Sequence, residues 1–226
     1  MVPDEAAARR LIESQRRYYD VRAPDYADAG LPSDRKHPGL LPPGEARRLV
    51  ASFDPHGDVL ELACGTGGLT RELVRHARTL TALDGSARML DLNRRRVGDS
   101  RVEYVHADLF EWRPERRYDA VFFGFWLSHV PPTHFDAFWS LVRACLRPGG
   151  RAGFVDEDHR GAGNEADVSA TGIPTVRRTL GDGRAFEIVK VFWRPPDLRD
   201  RLRALGWDAE VRSVGRTFLC GTARPA

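Results

Sequence analysis

The chain has 226 residues and a formal net charge of +3, enough length for one sizeable domain with a full core and a small appended lid. Its basic surplus is arginine, Lys36 and Lys190 being the two lysines. Arg9, Arg10, Arg16, Arg17 and Arg22 are interleaved with Glu5, Glu13 and Asp20, which is the pattern of a solvated helix face and argues against the one-sided basic patch of a nucleic-acid binder.

In chain order, residues 4–20 read as a helix, with Ala6, Ala7 and Ala8 near its start and no breaker before Pro24. A loop-rich Pro/Gly segment follows. A second helix over 45–53 carries Ala46, Leu49, Val50 and Phe53 at helical spacing. From there the pattern alternates: strand 58–63, helix 69–76, strand 79–83, helix 87–97, strands 101–106 and 119–123, helix 133–146 and strand 151–155. Short apolar strands alternating with amphipathic helices predict a mostly parallel sheet covered on both faces. The segment 156–184, punctuated by Gly161, Gly163, Gly172, Gly181 and Gly183, predicts a long connection that is either functional or disordered. A strand over 185–193 comes next. Pro195 then opens a helix that Gly206 closes, and strands 209–214 and 217–222 end the chain.

The most informative stretch is Val59-Leu60-Glu61-Leu62-Ala63-Cys64-Gly65-Thr66-Gly67-Gly68, an apolar strand that meets an acidic residue and runs into a glycine loop before a helix. Glycines there let backbone approach a ligand closely. Asp84 closes a second apolar strand about 20 residues on, and Asp108 follows a third. These features resemble the class I S-adenosylmethionine (SAM)-dependent methyltransferases over about 59–150. The resemblance implies a Rossmann-like α/β three-layer sandwich with a seven-stranded, mostly parallel sheet, its last strand antiparallel, and an N-terminal helical lid. It divides the chain into a lid, 1–45, and a transferase domain, 46–226, with a cap loop at 156–184.

The same resemblance implies residue roles. Gly65, Thr66 and Gly67, after Ala63 at the strand end, line the methionine and ribose portions of the donor, and Glu61 steadies its ammonium. Asp84, with Gly85 behind it, accepts from the ribose hydroxyls. Asp108 and Leu109 flank the adenine, Met89 packs on its face, and Gly124 closes the fourth strand beside it. Tyr19 and Tyr26 of the lid contact the methionine carboxylate, and Asp25 orients the acceptor. Two alternatives stand beside this reading. A nicotinamide-binding fold wants G-x-G-x-x-G, but Thr70 occupies the third glycine position and Glu61 would repel a pyrophosphate. A SAM-binding protein without methyl transfer would lack an acceptor pocket.

That pocket is expected at Phe122-Phe123-Gly124-Phe125-Trp126-Leu127-Ser128-His129, an aromatic wall with one imidazole. His129 is the candidate base for an acceptor that carries a proton. Phe125 and Trp126 suit a flat aromatic or heteroaromatic acceptor of the secondary-metabolite kind. In the Asp156-Glu157-Asp158-His159 cluster, Asp156 is the expected acceptor contact. The Asn/Asp-Pro-Pro-aromatic motif of nucleobase amino-methylating enzymes is missing at this strand end, so a small-molecule acceptor is expected and nucleic acid is not. Cys64, Cys145 and Cys220 are odd in number and widely separated, which argues against a disulfide framework or a metal site. Residues 1–11 lack the apolar core of a signal peptide, and no stretch approaches the roughly 20 apolar residues of a membrane span. The expectation is a cytoplasmic monomer or homodimer without bound metal.

Overall fold

The central strands are nearly continuous apolar runs, and in the computed structural model, which describes residues 5–28, 43–160 and 172–226, they lie buried in the middle of one sheet. Seven strands form it: β1 (Asp58–Leu62), β2 (Thr79–Asp84), β3 (Val102–His106), β4 (Tyr118–Gly124), β5 (Leu146–Glu157), β8 (Trp207–Val214) and β9 (Phe218–Pro225). Their order is β3-β2-β1-β4-β5-β9-β8. β1 to β5 run parallel, and β9 is antiparallel to both neighbours. Helices cover both faces. α2 (Pro43–Phe53), α3 (Thr70–Leu73) and α4 (Ala87–Val97) bury Leu49, Phe53, Leu73 and Leu90 on one side; α5 (Phe135–Cys145) and α6 (Pro195–Ala204) bury Trp139, Val142, Leu198 and Leu202 on the other. The three-layer sandwich is therefore as expected.

Strand order reverses between β1 and β4, so the crevice for a ligand opens beyond their carboxyl ends. The opposite, amino ends are tied shut. Arg147 donates to Asp58 (2.9 Å) and Asp119 (2.8 Å), and the Asp58 amide donates to Asp119 (2.7 Å).

The structure departs from expectation at several elements. α1 (Glu5–Asp28) continues through Pro24 instead of ending before it, its inner face, Ala8, Leu11, Gln15, Tyr18 and Ala23, being buried up to the residue before the proline. The helix expected over 69–76 shortens to α3 and trails off in tight turns at Arg75 and His76. β5 begins at Leu146, where it pairs with Tyr118. The strand expected over 185–193 is only β7 (Ala185–Val189). It does not join the sheet; it pairs antiparallel with β6 (Thr175–Thr179), inside the segment expected to be a loop. A glycine turn closes this hairpin, Gly183 at φ +86° donating to the Leu180 carbonyl. Residues 29–42 and 161–171, the expected loop-rich and cap-loop segments, lie outside the described residues.

Candidate active site

The glycine loop after β1 is shaped from below. Gly65 (φ +52°) has open space where a Cβ would project, which leaves its backbone approachable. Gly67 (φ +89°) is different: a Cβ there would lie 2.6 Å from Asn93 Oδ1, so this glycine is required by packing on α4. Two non-glycine residues, Ala63 (φ +53°) and Phe125 (φ +56°), hold left-handed backbone at the ends of β1 and β4. Such conformations are costly for residues with a side chain and gather at functional sites. Here they follow the two strands that flank the switch point.

Glu61 is 1% exposed, and its Oε2 has no partner among the described residues. Burial first, then the Asp84 charge, push its carboxyl up to about 8, while a hydrogen bond with Thr70 works in the other direction. Asp84 accepts from the Gly65 amide (2.8 Å) and the Ser86 amide (2.9 Å), and burial raises its carboxyl too. Ser86 caps α4, its hydroxyl accepting from the Met89 amide (3.2 Å), while Gly85 and Met89 sit around that turn, Met89 buried. Asp108 accepts from the Phe110 amide (2.9 Å) and so builds the turn that buries Leu109. Both line a cleft of about 570 Å³ between α1 and α5. Gly124 is pressed by Leu69, and Phe125 sets its ring on Phe218 (5.9 Å). Trp126, half-buried, packs between Phe110 (5.7 Å) and Phe138 (6.5 Å).

α1 crosses above these strand ends and is fastened on both sides of the switch point. Beyond β2, the Ser86 hydroxyl donates to Asp20 (2.8 Å). Beyond β4, Gln15 donates to the His129 carbonyl (3.3 Å) and the Tyr19 hydroxyl lies 2.8 Å from His129 Nε2. His129 Nδ1 lies 2.8 Å from the Val189 carbonyl, which can only accept, so Nδ1 carries the proton and Nε2 accepts from Tyr19. Burial, then the Lys190 charge, lower the imidazole well below its usual range and keep it neutral. The expected base thus has both nitrogens engaged, one by α1 and one by the residue that ends β7. Asp25 is exposed on the last turns of α1; Tyr26 follows it, its side chain outside the described set. Asp156 is 2% exposed and accepts from the Ser128 (2.9 Å) and Glu157 (2.7 Å) amides, with burial raising its carboxyl. Lys190 bonds Ser128 Oγ (3.1 Å) and Glu157 (2.5 Å).

Residues 59–150 match the family described as a methyltransferase domain. A solved complex, DhpI-SAM-HEP, is 45% identical, covering 95% of this chain and 98% of that one with a TM-score of 0.81. The chain belongs to the class I SAM-dependent methyltransferases. A 1,6-didemethyltoxoflavin N1-methyltransferase from Burkholderia thailandensis shares this methyltransferase fold at 22% identity, covering 99% and 93% of the two chains with a TM-score of 0.66. Demethylmenaquinone methyltransferase from Clavibacter sepedonicus is 40% identical over 97 residues, 41% of this chain and 38% of that enzyme. Matches to the curated relatives span from 26% to 59% of those relatives' own length.

The methyltransferase site fits the donor its family uses. The orphaned Glu61 oxygen wants a cation, and the space over Gly65 admits a ligand against backbone. Among the described residues no group of three or more His, Cys, Asp or Glu could hold a metal, and no helix is long and apolar enough to cross a membrane. Sequence reasoning missed the α4 residues that hold the loop. Arg96 donates to Thr66 Oγ1 (2.7 Å) and to its carbonyl (2.9 Å), and Asn93 bonds Thr70 and the Cys64 and Gly65 carbonyls. A signal was present: Asn93 sits three residues after Leu90 and four before Val97, where the apolar stripe of α4 calls for an apolar residue.

Proposed function

We propose that the protein transfers a methyl group from SAM to an oxygen, nitrogen or activated carbon of a small molecule. The observation that carries the donor half is the buried, partnerless Glu61 oxygen beside the open Gly65 backbone. When bound, the donor supplies an electrophilic methyl on a sulfonium. The chain's own work is then alignment and the exclusion of water. In this reading Glu61 receives the ammonium, Asp84 the ribose, and Asp108 with Leu109 the adenine edge, Met89 packing nearby. Residues 1–45 act as lid and 46–226 as transferase body, with 156–184 and the β6–β7 hairpin as cap.

A roof of α1 and the hairpin over the strand ends favours a small acceptor over a polymer. Phe125 and Trp126, both half-buried after β4, support an aromatic acceptor. His129 holds Tyr19 and the hairpin in place, and a neutral imidazole bonded at both nitrogens serves that task better than proton abstraction. Asp25 remains the candidate to orient the acceptor from the exposed side of α1.

Calorimetric titration with S-adenosylhomocysteine, with NADH as control, tests the donor half. Micromolar binding of the former alone is expected, and labelled-methyl uptake by aromatic hydroxyl and amine compounds tests the acceptor half. Binding of NADH in its place would overturn the reading.

A further inference from the structure

A hydrogen-bonded chain runs under the glycine loop to the donor carboxylate. The Tyr104 hydroxyl donates to Asn93 Oδ1 (3.2 Å), Asn93 Nδ2 donates to Thr70 Oγ1 (2.8 Å), and Thr70 bonds the Glu61 carboxylate. Asn93 and Thr70 are both fully buried, and Glu61 is 1% exposed. Asn93 Nδ2 also reaches the Gly65 carbonyl (3.2 Å) and the Cys64 carbonyl (3.4 Å). The chain has a direction: Asn93 fills one acceptor site of the Thr70 hydroxyl and so leaves its proton for Glu61. One Glu61 oxygen is thereby held, while Oε2 is left without a partner.

We propose that Asn93 and Thr70 are positioning residues of the donor site, fixing the Cys64–Gly65 backbone and presenting the free oxygen of Glu61 to a cationic ligand group. The inference rests on the methyltransferase reading and names residues that touch no reacting atom. It explains why a polar residue is buried in the apolar stripe of α4, where an unsatisfied amide would be costly. It also assigns Thr70 a second role, because this residue occupies the position a nicotinamide fold would give to glycine.

Glu61 is flanked by Asp84 from β2, by the Cys64 thiol and by the Tyr104 phenol, groups that offer it no positive charge. With its carboxyl raised to about 8, Glu61 is largely protonated in neutral solution and ionises when a cation binds. Binding of an ammonium ligand therefore releases a proton below about pH 8, and the release fades above it. Thr70 is the hydrogen bond that opposes the upward shift, so its removal moves the midpoint higher.

The test is calorimetry with S-adenosylhomocysteine in buffers of different ionisation enthalpy, across pH, on wild type, Thr70→Val, Thr70→Ser and Asn93→Ala. Asn93→Ala places the best helix former in α4, and thermal melting reports whether each variant is folded. Expected is binding weakened about tenfold or more in Thr70→Val, which loses the bonds to Glu61 and Asn93, and in Asn93→Ala, which loses those to Tyr104, Thr70 and the Cys64 and Gly65 carbonyls. The proton-release midpoint should rise in Thr70→Val and return in Thr70→Ser. A folded Thr70→Val with wild-type affinity and an unmoved midpoint would overturn the inference while leaving the proposed function standing. Failure of the wild type itself to bind would remove the methyltransferase reading and the inference with it.

Discussion

Two glycines one residue apart do different work. Gly65 keeps a left-handed turn open to a ligand, and Gly67 makes room for Asn93. Gly65→Ala puts a Cβ into open space at φ +52°, costing about 1–2 kcal/mol for the left-handed backbone, and its main effect should be weaker binding of S-adenosylhomocysteine. Gly67→Ala must also displace Asn93 and should lose both thermal stability and binding. Melting curves and titrations of the two variants separate these outcomes; equal stability losses would contradict the division of labour. The glycines and the strand-end carboxylates were legible in the sequence because each interrupts an apolar run. Asn93 was equally visible as a polar residue in an apolar stripe, yet its target was not, since Thr70 and Gly65 reach it only through packing of α4 on the loop.

The cap is where elements assemble against expectation. α1 buries Ala7, Ala8 and Leu11 on Ile173 and Val189, and Tyr18 on Val176 and Ile188, so helix and hairpin share their apolar contacts. His129 sits at their junction, bonded to both. Ile188→Ala removes a side chain 1% exposed at the centre of this contact, and a buried Ile→Ala change costs roughly 2–5 kcal/mol. Hydrogen exchange should then accelerate together in α1 and β6–β7 while β1 and β4 keep wild-type protection, and added S-adenosylhomocysteine should partly restore the cap. Acceleration confined to β7 would show that the two do not move as a unit. β6 escaped sequence reasoning because Thr175–Thr179 carries Arg177 and Arg178 and sits among glycines. A two-stranded ribbon needs only a few apolar residues on one face, too short a signal to separate from loop.

Across the whole molecule, the two ends of the sheet differ in how they treat charge. At the amino ends, Arg147 neutralises Asp58 and Asp119, whose carboxyls lie below the usual range, Asp58 through Thr79 first and Asp119 through the Asp58 amide first. At the carboxyl ends, burial raises Glu61 and Asp84. A carboxyl raised in the folded state binds its proton more tightly there than in the unfolded chain, so its contribution is full below the unfolded value near 4.5 and is lost as pH rises through about 8. Glu61→Gln removes that loss. It should raise the ligand-free melting temperature by about 2–4 °C for each kcal/mol regained, in mildly alkaline buffer and not in mild acid, while abolishing tight S-adenosylhomocysteine binding. A variant no more stable than wild type in alkaline buffer would show that Glu61 is not held against its charge.

Alternation of apolar strands with amphipathic helices, and carboxylates placed where the strands stop, were enough to determine the sandwich and its strand-end crevice, because period and burial are local properties of a chain. Tertiary structure alone decided how that crevice is roofed. Whether the Val189 carbonyl and the Tyr19 hydroxyl both reach His129, or Asp20 reaches Ser86, depends on groups 60 and 110 residues apart in the first case and 66 in the second. No periodicity records such distances; they exist only once α1 and the β6–β7 hairpin have packed together over the sheet.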